Sequence, residues 1–465
     1  MNRRRWRAWG LAVLLVGLAV VVGGAVGATA PGAYAPDDVA ANAGWEEVGA
    51  GSASGGGISN NGGNSRIPAI VMGPDGPIVA WYDNSIGNWE IYVRRWNGSA
   101  WVEMGAGSAT GGGLTNNDGP SGSPTLAVGP DGPVIAWDDF DGGDFDIYLK
   151  RWNGSAWVGM GDSATGSGVS NNNSWSAVPS IAFAAGAPIV AWHDNGSGNW
   201  EIYVRRWNGS AWVEMGTGSA GGGGISNNFG DSFGPRVAVG PDGPIIAWHD
   251  NSDGDWEIYV RRWNGSAWVQ MGPDSAFGGG ISDNDGKSEN PALAIGPDGP
   301  IVAWEDDSSG DQEIYARRWN GSTWVEIGAN SAGGGGISTG SGSAEAAALA
   351  VGPDGPLLAW GDNSDGPWEI YVRRWNGSSW VEVGAGSATG SGVSSEDNWS
   401  RYPNLWAGPE GPIVAWEDDS DGDTEIYVRR APKTPPTATP TYTPTVTRTP
   451  TRPPPGPVTP TGPPP

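Results

Sequence analysis

Between residues 67 and 104 the apolar residues fall into four short runs, Ile67–Met72, Ile78–Trp81, Glu90–Trp96 and Trp101–Met104. Each is too short for an ordinary helix and is rich in β-branched and aromatic residues, so each is expected to be a strand. We label them A to D. The A–B link, Gly73-Pro74-Asp75-Gly76-Pro77, has turn chemistry at every position. The C–D link holds Asn97-Gly98, a hairpin signal because both residues tolerate positive φ. Near-copies of this unit recur down the chain. The Trp closing run B stands at Trp81, Trp137, Trp192, Trp248, Trp304, Trp360 and Trp416, at steps of 56, 55, 56, 56, 56 and 56 residues. A period this regular identifies a repeat architecture. One four-stranded sheet of this size cannot bury two apolar faces, whereas sheets stacked around an axis can.

The ends of the repeat region are complementary. The last copy stops at Tyr427-Val428-Arg429-Arg430, without a strand D. Trp45-Glu46-Glu47-Val48-Gly49 matches Trp101-Val102-Glu103-Met104-Gly105, 56 residues later. The N-terminal strand is therefore expected to complete the last blade. The fold predicted is all-β: a seven-bladed β-propeller of four-stranded antiparallel blades over residues 44–430, its ring closed by that strand, which also protects an open sheet edge.

The flanks differ in character. Residues 1–35 read as a signal peptide or an uncleaved N-terminal anchor. Arg3, Arg4, Arg5 and Arg7 precede the apolar stretch Leu11–Val26, and small residues follow, with cleavage sites after Ala28 or Ala35. The Arg pair also fits twin-arginine export. Residues 36–43 form a linker. Residues 431–465 are dominated by Pro and Thr and read as a disordered, extended stalk of about 100 Å at roughly 3.1 Å per residue. The protein is expected to be secreted or on the cell surface.

Composition narrows the partners. The 465-residue chain carries 80 Gly, 38 Pro and 29 Trp, which suits short strands and tight turns. A net charge of -26 argues against nucleic acid. The absence of Cys removes disulfides and thiolate metal sites. The two histidines, His193 and His249, follow the repeat Trp, where other copies carry Tyr82, Asp138, Glu305, Gly361 and Glu417. So tolerant a column is read as surface.

Gly-Pro-Asp-Gly, an apolar strand, then Asp-x-x-x-Gly-Asn-x-Glu-Ile-Tyr-Val resembles the TolB-type propeller repeat over strands A to C of all seven copies. The C–D hairpin is loosely similar to the Asp-box of sialidases: Gly98-Ser99-Ala100-Trp101 and Thr323-Trp324 match its Gly-x-Thr-Trp end. Its defining Asp, two places before the Gly, is replaced by Trp96 here. The resemblances imply a propeller; the second also implies a sialidase-like glycoside hydrolase as an alternative function.

Strand parity puts linkers A–B and C–D on one face of the ring and the longer, polar B–C and D–A linkers on the other, the expected functional face. Each B–C loop carries an Asp (Asp83, Asp139, Asp194, Asp250, Asp306, Asp362, Asp418), a Gly such as Gly87, and an acid: Glu90, Asp146, Glu201, Glu257, Glu313, Glu369 or Glu425. Two readings stand: a calcium site at the Asp column, or an Asx-type turn with the later acid pairing an arginine. Beside that acid stands Trp89, Phe145, Trp200, Trp256 or Trp368, with Gln312 and Thr424 in the other copies. These aromatics are either platforms for sugar faces or blade-to-blade packing. The Gly-rich D–A loop lacks a Walker-type Lys, and its Ile or Leu is expected to tuck inward. Its end, at Arg66, Gly122, Ala177, Phe233, Glu289, Ala344 and Arg401, is expected to ring the channel mouth, where Arg66 and Arg401 could clasp an anion. The Asn-Gly-Ser triplets from Asn97 to Asn376 are explained by their turns. The leading expectation is a monomeric, non-catalytic binding or adhesion module with several quasi-equivalent sites for carbohydrate, with no catalytic residue and no resident cofactor assigned. A hydrolase with one site at the channel mouth and a scaffold for an extracellular protein are the alternatives.

Overall fold

The computed structural model describes residues 44–140, 143–394 and 398–431. The expected export segment, the linker and the stalk from residue 432 onward lie outside the described residues. The described chain forms seven sheets of four antiparallel strands and contains no helix. Blade 1 comprises strand A Ser65–Gly73, B Gly76–Asp83, C Glu90–Trp96 and D Trp101–Glu103, hydrogen-bonded in that order. Strands A and B run longer than their apolar cores because the ladder continues through Gly73 and Gly76 at one end and Ser65 and Asp83 at the other. The A strands of successive blades pack on one another around the whole circle, blade 7 on blade 1 included. They form the inner wall.

Blade 7 is assembled from both ends of the repeat region. Its strands A (Ser400–Trp406), B (Ile413–Asp418) and C (Glu425–Arg430) come from the last copy, and Glu46–Glu47 supplies the fourth. Glu46 pairs with Arg430 and Glu47 with Arg429. The outer tryptophans show the same closure. Trp101 Nε1 donates to the Val48 carbonyl of the preceding blade at 2.8 Å, and Trp157, Trp212, Trp268, Trp324 and Trp380 repeat the bond. Trp45 completes the series through the Val383 carbonyl at 2.9 Å, across 338 residues of sequence.

Both faces of every sheet are buried, which explains why strand B reads Pro-Ile-Val-Ala-Trp without polar alternation. Val79, Trp81 and Tyr92 pack toward blade 7, while Ile78, Ala80, Ile91 and Val93 pack toward blade 2. Seven such apolar clusters exist, one per seam. A fully buried Trp at each contributes about 4–6 kcal/mol of gross transfer free energy, from roughly 150–250 Å² at about 25 cal/mol per Å².

The D–A loops lock onto these seams. Ile58, Val169, Ile225, Ile281, Ile337 and Val393 are buried as expected, and Ile225 N–H donates to the Ile202 carbonyl at 2.7 Å. The residue before it must be glycine. Gly224 has φ +61°, and a Cβ there would lie 2.2 Å from the Ile202 carbonyl oxygen.

Candidate functional site

The B–C loop acids hold the B–C/D–A face together. Asp83 is buried. It accepts hydrogen bonds from Asn61 Nδ2 (2.5 Å), Ser65 Oγ (2.7 Å), Trp81 Nε1 (3.3 Å) and the Ser85 N–H (2.9 Å). The other six, from Asp139 to Asp418, are likewise buried and likewise take the indole N–H of the Trp two residues earlier. A buried indole needs an acceptor, and this column supplies it.

The later acid does not pair an arginine. Glu90 accepts the Thr115 hydroxyl, the Asn117 N–H at 3.2 Å and Asn88 Nδ2 at 3.1 Å. Arg94 instead donates to the Ile58 carbonyl at 2.6 Å. The D–A loop bridges the two acid columns: Asn61 gives its N–H to Glu425 (3.0 Å) and its side-chain amide to Asp83. Its Ser-Asn-Asn segment is thus a staple between blades, with the carboxylates occupied by protein donors.

Ladder register defines the inner mouth. Opposed pairs there are Arg66–Tyr82, Gly122–Asp138, Ala177–His193, Phe233–His249, Glu289–Glu305, Glu345–Gly361 and Arg401–Glu417. The residue at the mouth of blade 6 is therefore Glu345, and Ala344 is buried in a seam. The D–A linker between blades 2 and 3 is one residue shorter than the others, and the 56-residue step from Glu289 leads to Glu345, as the ladder does. Each A strand then bulges, and the bulged residue has positive φ in all seven blades: Ile67 (46°), Ser123 (46°), Val178 (50°), Gly234 (60°), Asn290 (52°), Ala346 (57°) and Tyr402 (50°). For β-branched Ile67 and Val178 this conformation is strained.

The bulge turns an N–H toward the preceding blade. Glu417 Oε1 accepts it from Ile67 (2.6 Å), Asp138 Oδ2 from Val178 (3.0 Å), and Glu305 Oε1 from Ala346 (2.5 Å). His193 and His249 accept through Nδ1 from Gly234 and Asn290, both at 3.4 Å. The column after the repeat Trp is thus not a tolerant surface column. His193 and His249 are buried, and their position serves as an acceptor between blades wherever its side chain can.

Burial sets the protonation of these groups. It pushes Glu305 and Glu417 up to about 7 and Asp138 to about 6. Burial also raises Glu345 and Glu289, against the pull of Arg401 and Lys287 respectively. His193 and His249 are held down to about 3 by burial, with the Arg236 charge adding to it, so both are neutral at physiological pH. Arg66 and Arg401 flank Glu417, and Arg401 also faces Glu345 at 3.5 Å.

The predicted aromatics, Trp89, Phe145, Trp200, Trp256 and Trp368, are all half-buried beside this mouth. Trp89 packs edge-on against Tyr82 at 4.9 Å, and Trp200 and Trp256 against His193 and His249 at 5.1 and 5.2 Å. Two further tryptophans, which occupy one column in only two of the seven copies, are far more open. Trp175 is 45% exposed and stands 5.8 Å from Phe145. Trp399 is 55% exposed, and Arg401 lies between it and Trp368, 4.5 and 4.2 Å from the two rings. Trp in two copies of a column that otherwise reads Asn64, Pro120, Asp231, Lys287 and Ser343 is the signal for both.

No family model matches the sequence, and no curated relative matches it. Among solved structures, the chain is similar to a Trypanosoma rangeli sialidase in complex with sialic acid at 12% identity and a TM-score of 0.42, covering 79% of this chain and 54% of that one. It is similar to the GH93 alpha-L-arabinofuranosidase of Fusarium graminearum with arabinobiose at 13% identity and a TM-score of 0.40, covering 66% and 91%. An endo-arabinase from Bacteroides thetaiotaomicron gives 13% identity and a TM-score of 0.35, covering 58% and 95%. This chain thus spans about half the length of the sialidase it matches.

Proposed function

We propose that this protein is an exported, non-catalytic carbohydrate-binding propeller that meets its ligand through the B–C/D–A face. One observation carries the reading. Of six exposed large apolar side chains among the described residues, five (Ile86, Trp175, Phe229, Phe277 and Trp399) lie in the linkers of that face. Exposed indoles beside charged and amide groups offer a flat apolar surface with polar edges, which suits the face of a sugar ring. Trp399, stacked with Arg401 and Trp368, and Trp175, set against Phe145, are the two platforms. The half-buried aromatics from Trp89 to Trp368 form the wall behind them. A glycan array followed by calorimetry tests this. Binding that weakens at least tenfold in Trp399→Ala or Trp175→Ala supports it; absence of any glycan ligand refutes it.

The second reading is glycoside hydrolysis at the mouth. Glu417 and Glu345 both face Arg401, and burial raises both carboxyls toward the range of a general acid. Against it, Glu417 is committed to the Ile67 N–H and Glu305 to Asn290, Gln312 and Ala346. Turnover of a chromogenic glycoside that disappears in Glu417→Gln would select this reading.

A further inference from the structure

The seven copies act as internal controls for one another, and one inner-wall position breaks the pattern. Equivalent positions on the A strands carry Ala69, Thr125, Ser180, Arg236, Ala292, Ala348 and Asn404. Six are small or neutral. Ser180 and Asn404 use their side chains to accept the next blade's N–H, from Val237 at 3.1 Å and Ile70 at 3.0 Å. Arg236 has no comparable duty. Its one hydrogen bond goes to the adjacent Pro235 carbonyl at 3.1 Å. Among the described residues it forms no ion pair, and the only influence on its ionisation is burial, which lowers its pKa. The residue is nonetheless exposed to solvent. A side chain that water reaches, yet protein surrounds, is one that projects into the axial channel. In a chain of net charge -26, an arginine there without a carboxylate is conspicuous.

The two histidines lie beside its strand: Gly234, two residues before Arg236, donates its N–H to His193, and Phe233 opposes His249 in the ladder. His193 and His249, whose charge states respond to Arg236, accept backbone N–H groups through Nδ1. That leaves the proton of each neutral ring on Nε2. Around them stand Trp200, Phe233 and Trp256, with centroid separations of 5.1 Å (His193–Phe233), 5.4 Å (Trp200–Phe233) and 5.8 Å (Phe233–Trp256). Among the described residues no other part of the mouth joins a free guanidinium to an aromatic wall. On the opposite side Arg401 faces Glu345 at 3.5 Å, and Glu417 lies within the charge of both Arg66 and Arg401.

We infer that Arg236, with the Nε2–H groups of His193 and His249, forms an oxyanion site that takes the carboxylate or sulfate of an acidic saccharide, whose ring lies against Trp200, Phe233 and Trp256. A guanidinium and two neutral N–H donors match such an oxyanion, and the aromatic wall supplies the apolar contact a free anion lacks. The inference deepens the carbohydrate reading and rests on it for the sugar, though not for the anion.

The two histidines make the test direct, because the chain contains no others. Their imidazole signals are followed by NMR in the full chain during titration with sodium sulfate, trigalacturonate, a sulfated chondroitin disaccharide and neutral galactotriose. Expected are a proton on Nε2 of both rings, shifts of both signals with sulfate and with an acidic saccharide, and no shift with galactotriose. Arg236→Ala should weaken these responses at least tenfold. It should fold normally, since blades 1, 5 and 6 carry Ala at that position. Arg95→Ala, in the ion pair with Asp75 on the opposite face, should leave the responses intact. Equal responses in Arg236→Ala, or equal responses to neutral and acidic sugars, overturn the assignment. Sulfate binding without either acidic saccharide overturns the saccharide part. Acidic sugars bound at these histidines without any effect of Trp399 or Trp175 on affinity would instead sink the platform reading and leave this site standing.

Discussion

Trp45 is the most informative single residue to perturb, because ring closure passes through it. Its side chain is 3% exposed, packs in the seam between blades 6 and 7, and donates Nε1–H to Val383. Burial of roughly 150–250 Å² is worth about 4–6 kcal/mol gross at about 25 cal/mol per Å². Partial collapse of the space left by truncation reduces the expected cost of Trp45→Ala to about 3–5 kcal/mol. Trp45→Phe keeps most of the area, loses the hydrogen bond and should cost about 1–2 kcal/mol. The assay is equilibrium urea denaturation, with Trp212→Ala as the internal comparison. Trp212 makes the same bond, to Met160, from the middle of the chain, but is only half-buried, so its truncation should cost less. In an open solenoid Trp45 would lie on a frayed terminal strand, and its loss would stay within about 0.5 kcal/mol. A cost below about 1 kcal/mol for Trp45→Ala, alongside a larger one for Trp212→Ala, would refute the closed ring.

Other expectations follow from the same geometry. Gly224→Ala should destabilise by at least about 2 kcal/mol, because φ is +61° and the new Cβ meets the Ile202 carbonyl; Gly222→Ala, with φ +57° and open space, should cost only about 1 kcal/mol by thermal melting. Glu305 and Glu417 titrate near 7 in the fold, above the ordinary carboxylate range, so the stability tied to their protonated forms is present below about pH 4.5 and lost as pH rises through 7. His193 and His249 act oppositely, their contribution being present above about pH 6.5 and lost as pH falls toward 3. The melting temperature should therefore fall between pH 5.5 and 8, and Glu417→Gln should flatten that slope; an unchanged slope would count against its buried setting. Asp250→Ala strands the Trp248 indole, Ser232 and Asn228 donors and should cost about 3 kcal/mol or more by denaturant titration. Chelator should leave the melting temperature unchanged, since the donors on Asp250 are protein groups.

Fold and number of blades were legible because they rest on periodicity and local turn chemistry. The step between Trp81 and Trp416, the Gly-Pro-Asp-Gly turns and the match of Trp45 to Trp101 need no knowledge of distant contacts. The division of the linkers between two faces was legible for the same reason, since strand parity assigns them. The mouth was less so. Counting by nearest likeness put Ala344 where the ladder puts Glu345. The variable column holding His193 and His249 read as surface, because alternative residues suggested tolerance. In the ring, Glu417, Asp138, Glu305 and the two histidines do one job with different chemistry: each accepts an N–H that a strained bulge turns out of the neighbouring A strand. Trp175 and Trp399 do not stand out in the repeat, because their column carries a Trp in only two of seven copies.

The amino-acid order by itself determined the strands, the seven-fold count and the shared closing blade, since these follow from local preference and from a period that leaves a single way to bury both sheet faces. Only the assembled ring decided which charges meet. Side chains from copies 56 residues apart, and from both ends of the chain, converge on one axis, where burial and neighbouring charge turn similar residues into a paired arginine at Arg401, neutral imidazoles at His193 and His249, and an unpaired guanidinium at Arg236.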